Sequence, residues 1–118
     1  MAFRFESLEI WHRARAYATS IYEVTGRFPR KEDYGLTSQL NRAVNSISFN
    51  IAEGSGQNTS KAFDRYLGIA VGSAFEVVSG LFLALDRGYI NENEHQRLYE
   101  EGEVLAKSIN AFRKTLRS

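Results

Sequence analysis

The stretch YLGIAVGSAFEVVSGLFLAL, residues 66–85, decides the fold of this chain: it runs twenty positions with a single charge, Glu76, in a protein that is 25% charged overall. A helix apolar on nearly every side must be buried on nearly every side. A chain of 118 residues is one small domain, and a helical bundle of that size covers only one stripe of each helix, so the uncovered remainder calls for a partner. The competing reading is a membrane span, for which about twenty apolar residues is the right length. A carboxylate in mid-span costs about 2.5 kcal/mol or more on insertion scales, and Gly68, Gly72, Gly80, Ser73 and Ser79 dilute the apolar content. The segment therefore reads as a buried, subunit-facing helix, with no membrane as partner.

Working outward, one proline and few turn clusters make the remainder all-helical. A first helix is predicted at about 7–25, with Ser7 as N-cap, Glu9 in its first turn, and Gly26 and Pro29 as stops. A second, at about 36–53, turns Leu36, Leu40, Ala43, Val44, Ile47 and Ile51 inward before Gly54 closes it. The polar turn SGQNTS leads to a third helix at about 60–87, stopped by Gly88. Asn91 with Glu94 forms a capping-box start for a fourth at about 92–116, whose inward positions include His95, Leu98, Tyr99, Gly102, Leu105 and Ile109. Short connections favour an antiparallel up-down-up-down four-helix bundle over residues 1–118, and the uncovered side of the third helix points to a homo-oligomer.

Composition excludes several chemistries. With no cysteine there are no disulfides, thiolate metal sites or thiol nucleophiles, and MAFRFESLEI lacks the basic and apolar regions of an export signal. The expected location is cytoplasmic. His12 and His95 lie on different helices without ligand spacing, and neither follows a glutamate by three residues as di-iron bundles require. The glycines near Glu53 follow a helix and lack the phosphate-loop pattern. No catalytic residue, metal or cofactor is expected, and the protein reads as a non-enzyme.

Two surface stripes remain. On the third helix Gly68, Gly72, Phe75, Ser79 and Phe82 run beside the core stripe, and Phe49 stands off the core of the second helix. Small residues four apart permit close backbone approach and the phenylalanines supply area, so these six are the expected oligomer interface. The alternative is that they pack under the long loop within one subunit. On the second helix Gln39, Arg42, Ser46, Asn50 and Glu53 share one polar face. Folding the two helices antiparallel places Arg42 opposite Gly72 and Ser73 in reach of Glu76, and Glu53 opposite Lys61 and Arg65. A buried Arg42–Glu76 pair of this kind is costly to break from one side, about 3–5 kcal/mol. The stripe is either a polar network that fixes register or a binding or catalytic site.

The net charge of +1 gives no global field toward nucleic acid. One end of the bundle nonetheless gathers Arg4, Lys61, Arg65, Arg113, Lys114 and Arg117 against Glu6, Glu53 and Asp64, six cations to three anions. Parallel copies in a homo-oligomer would multiply this excess of about +3 on one rim, enough to engage a phosphate backbone with steep salt dependence. The same distribution also merely complements the helix dipoles.

The segments FESLEIWHRA (5–14), FPRKEDYGLTSQLNRAVNSISFNIAEGSG (28–56) and FDRYLGIAVGSAFEV (63–77) carry a resemblance, with YGLTSQLNRA, NIAEG and IAVGS matching in order and spacing. Through them the chain resembles the bacterial four-helix-bundle family first noted in reading frames inside intervening sequences of large-subunit ribosomal RNA. The resemblance spans nearly the whole chain. It implies a ring-shaped homopentamer. A related branch, the accessory variability proteins of diversity-generating retroelements, works with a reverse transcriptase and binds nucleic acid, which implies RNA, DNA or a nucleic-acid-processing protein as further partners. The expectation is a non-enzymatic homo-oligomeric scaffold, with a nucleic-acid-binding accessory protein using the basic rim as the alternative.

Overall fold

The structure, a computed structural model, describes residues 2–117. Four helices account for nearly all of it: α1 (Glu9–Thr25), α2 (Leu36–Ser55), α3 (Ser60–Asp86) and α4 (Glu92–Arg117), with 3-10 turns at Arg4–Ser7 and Arg30–Glu32. Among the described residues there is no strand. Each helix packs on its neighbours in chain order and α4 closes onto α1, so the four stand at the corners of a square in a body of 44 × 22 × 22 Å.

Local chemistry sets the ends. Thr59 caps α3 by accepting the Ala62 N–H at 3.1 Å, and Asn91 and Glu94 accept each other's backbone N–H at 2.8 and 3.1 Å at the start of α4. Gly88, at φ +76°, supplies the left-handed turn between α3 and α4. Two expected ends differ. Ser7 does not cap α1; it belongs to the preceding 3-10 turn, where its hydroxyl donates to the Arg4 carbonyl, and Leu8 occupies the cap position. Gly54 does not close α2, which runs on through Ser55; a Cβ at Gly54 would lie 2.8 Å from Phe63 and Tyr66, so glycine serves the helix crossing there.

The core is a continuous column in which Ile21, Val44, Ile47, Ile51, Leu67, Val77, Leu81, Leu98 and Ile109 lose all contact with solvent. Tyr17 joins it with its hydroxyl satisfied, donating to the Leu98 carbonyl at 3.0 Å. Helix α3 has the length and hydropathy of a membrane span, and in this bundle it packs between α2 and α4. Close approaches fix its register. Ser46 and Ser73 hydroxyls meet at 2.8 Å, and Gly80 admits Leu40, whose Cδ2 would lie 2.6 Å from an added Cβ. On the other flank Gly102 sits against Val78 and Tyr17. The pairs on the α2 flank show α2 and α3 antiparallel.

Candidate functional site

The outer side of α3 is where the structure departs from a self-contained bundle. Its inward positions are sealed, whereas Ile69, Phe75, Phe82 and Leu83 are 42–68% exposed. Phe49 of α2 is 68% exposed. Gly72 and Ser79 lie exposed on the same face, and a Cβ at Gly72 would meet nothing within 4 Å. Gly68 is turned further toward α4, with the Arg113 guanidinium over it. The long loop does not cover this face: it packs at the end of the bundle, where Glu32 accepts from the Tyr89 hydroxyl at 2.8 Å and the Phe28 ring lies tilted against Tyr89. Apolar residues exposed together on one helix side make this the candidate binding face. Ile69 and Leu83 were not among the expected interface residues; their signal is the three- and four-residue spacing from Gly72, Phe75 and Ser79.

Grooves flank the α3 corner on both sides. Toward α4 is one of about 330 Å³, lined by Ala74, Phe75, Val78, Tyr99, Gly102, Glu103, Ala106, Lys107 and Asn110. Toward α2 is a smaller one of about 100 Å³, which Glu76, Ser79 and Gly80 enter from α3. His95 is buried at the end of α3 nearest Phe82, packed edge-on to that ring at 4.5 Å, and its Nε2 finds no partner among the described residues. His12 lies elsewhere, donating from Nε2 to the Glu6 carbonyl at 2.7 Å.

The polar stripe of α2 assembles only in part. Asn50 donates to the Ser46 carbonyl and hydroxyl at 2.8 and 3.0 Å, and Ser73 completes this small network. Gln39, Arg42 and Glu53 are exposed outside it. The buried Arg42–Glu76 pair is not formed: both residues are exposed, and among the described residues no ion pair joins them. Side-chain direction explains this: Ser46, not Arg42, faces Ser73 across the seam, while Arg42 and Glu76, close in height, both turn outward to the surface. Glu53 likewise makes no ion pair with Lys61 or Arg65; its carbonyl accepts from the Gln57 amide.

At the basic end the six cations are not equivalent. Arg113 is only 19% exposed and donates to Asp64 at 2.8 Å, which Arg117 also approaches at 3.4 Å. Those bonds hold the Asp64 carboxyl below its ordinary range. Arg4 lies over the Phe63 ring at 4.9 Å. Lys61 and Arg65 are exposed and make no ion pair among the described residues. Lys114 is exposed on α4. At the opposite end Glu32 is held low by the Leu36 N–H and the Tyr89 hydroxyl, with Arg87 beside it, and Glu94 by Arg27 and the Asn91 N–H. Between α1 and α4, burial pushes the Glu101 carboxyl up despite a bond from Ser20. Among the described residues no three His, Asp or Glu side chains converge to hold a metal ion.

No curated protein matches the sequence. Among solved structures, the chain is similar to a crystal structure of a protein of unknown function from the S23 ribosomal protein family of Bacteroides thetaiotaomicron. The TM-score is 0.82 at 20% identity, covering 89% of this chain and 98% of that one, a likeness of fold. The sequence profile described as 23S rRNA-intervening sequence protein matches residues 6–111, from the turn before α1 into the last turns of α4. A match over that span shows that the chain belongs to the 23S rRNA-intervening sequence protein family.

Proposed function

We propose that the protein is a non-enzymatic, cytoplasmic homo-oligomeric scaffold, a pentamer by its resemblance to the family, held together through the outer face of α3 and Phe49. The carrying observation is that face: Phe75, 68% exposed, and Phe82, 46% exposed, on one side of the most apolar helix, with Phe49 of α2 also 68% exposed. Lack of cysteine fits a reducing compartment. The test is the mass of the purified protein by light scattering. A multiple of 13.4 kDa is expected; a monomer at all concentrations would overturn the reading.

A second reading rests on the basic end. Lys61 and Arg65 make no ion pair among the described residues, and the same end of the bundle holds Arg4 and Phe3, which is 64% exposed. Cations interleaved with an exposed aromatic suit single-stranded nucleic acid. In this reading the protein is an accessory that presents RNA or DNA to a nucleic-acid-processing protein. Its test is retention of RNA and DNA at low and high salt. Charge reversal of Lys61 and Arg65 together is expected to abolish salt-sensitive retention while leaving the mass unchanged. Retention that survives this change removes the rim as the site. Arg113 is a poorer target, because Asp64 already holds it.

A further inference from the structure

The two flanks of the α3 corner are unlike. On the α2 side a ring protrudes, Phe49; on the α4 side a groove of about 330 Å³ is floored by Ala74, Val78, Gly102 and Ala106. A knob and a socket on different faces of one molecule make a heterologous contact, which closes into a ring when the rotation between copies allows.

Heights along the bundle argue for the same arrangement. The Ser46–Ser73 and Leu40–Gly80 approaches fix α2 against α3, and the Gly102–Val78 and Gly68–Arg113 approaches fix α4 against α3. Helices α2 and α4 run in the same direction, so Arg42 stands level with Glu103, Phe49 with Asn110, and Glu53 with Lys114. Positions 42, 46, 49 and 53 form one stripe of α2, and positions 103, 107, 110 and 114 form one stripe of α4 with the same spacing. In copies related by rotation about an axis parallel to the bundle, equal heights meet. Guanidinium then faces carboxylate, carboxylate faces ammonium, and Phe49 reaches the groove at the end marked by Asn110 and Ala106. Among the described residues Glu103 makes an exposed pair with Lys107 at 3.7 Å, a weak competitor.

The two faces meet at the α3 corner at about a right angle, as adjacent sides of the square. That is close to the interior angle of a ring of four or five members, and it turns the outer edge of α3 toward the ring axis.

We propose that the exposed α2 stripe of one copy, led by Phe49 and Arg42, docks on the α3–α4 groove of the next copy at Asn110 and Glu103, in a one-directional contact that closes a ring. The proposal rests on the homo-oligomer reading and specifies its contact.

The natural chain has no cysteine, so placed thiols report cleanly. Phe49→Cys, Asn110→Cys and the double variant are treated with a short bis-maleimide, with light scattering on each. The expected result is a ladder of covalent oligomers from the double variant and none from either single variant. Dimers from Phe49→Cys alone would mean that like meets like, overturning the one-directional contact. An oligomeric mass without a ladder would overturn this placement while leaving the scaffold reading intact, whereas a monomeric wild type removes both. Independently, R42E and E103R are each expected to raise the concentration for half-assembly about tenfold. Their combination is expected to restore it, and failure to restore counts against the Arg42–Glu103 contact.

Discussion

The inner and outer faces of α3 are built from the same kinds of residue and meet opposite fates. Leu67, Ala70, Ala74, Val77 and Leu81 are at most 1% exposed, whereas Ile69, Phe75, Phe82 and Leu83, on the same 27-residue helix, remain 42–68% exposed. Hydropathy alone does not separate them. What separates them is the square packing, which gives α3 two neighbours and leaves its outer edge uncovered. One face supplies the folding energy of the monomer, and the other holds apolar area available for a second chain.

The sharpest test of that division sets Leu81→Ala against Phe75→Ser. The first is expected to cost about 2–5 kcal/mol in denaturant unfolding. The second is expected to lower the assembled mass while shifting intrinsic stability by about 0.5 kcal/mol or less. Equal losses of stability would make the outer face part of the core and erase the distinction.

The glycines repeat the comparison at smaller scale. Gly80→Ala forces Leu40 to move and is expected to cost about 1–3 kcal/mol. Gly72→Ala enters open space, and in the monomeric state it is expected to gain up to about 1 kcal/mol from helix propensity alone. Thermal melts of the two variants in the Phe75→Ser background separate these effects from assembly.

Acid is expected to act on the ends rather than on α3. Hydrogen bonds hold Glu94 and Asp64 below their ordinary values, chiefly from Arg27 and Arg113. The unfolded chain binds these protons more readily, so the stabilisation present above about pH 5 is lost as pH falls through the carboxylate range. A melting temperature that stays flat from pH 6 to about pH 3 would contradict that account. Glu101 has the opposite sign. Burial raises its carboxyl, so its stabilisation is present at low pH and lost as pH rises through the raised value. Glu101→Gln, which imitates the protonated form, is expected to gain about 0.5 kcal/mol at neutral pH, with the gain vanishing in acid.

The all-helical character and four-helix count were legible because glycine, proline and the Asn91–Glu94 box punctuate an otherwise periodic sequence. The exposure of Phe49, Phe75 and Phe82 was legible too, since each lies off a complete core stripe. The Arg42–Glu76 pair was misread because a polar stripe on α2 was taken to face α3 as a whole: Ser46 and Asn50 sit at the seam with Ser73, whereas Arg42 and Glu76, although close in height, point to the surface. Sequence spacing also concealed the α4 half of the groove. Tyr99 and Gly102 have core spacing, and only the closeness of Gly102 to Tyr17 and Val78 shows how the helices part beside them. Which cations are engaged by Asp64 depends on reach across α3 and α4, and helical periodicity carries no information about it.

Glu32 ties the two connections at one end of the bundle: it receives the Leu36 N–H from the start of α2, the Tyr89 hydroxyl from the α3–α4 turn, and Arg87 from the end of α3. Among the described residues the α2–α3 turn at the other end has no comparable clasp, and residues 56–61 are exposed throughout. Local opening thus has a direction: amide exchange should spread from the α2–α3 turn inward, and the loop between α1 and α2 should be among the last surface segments to loosen.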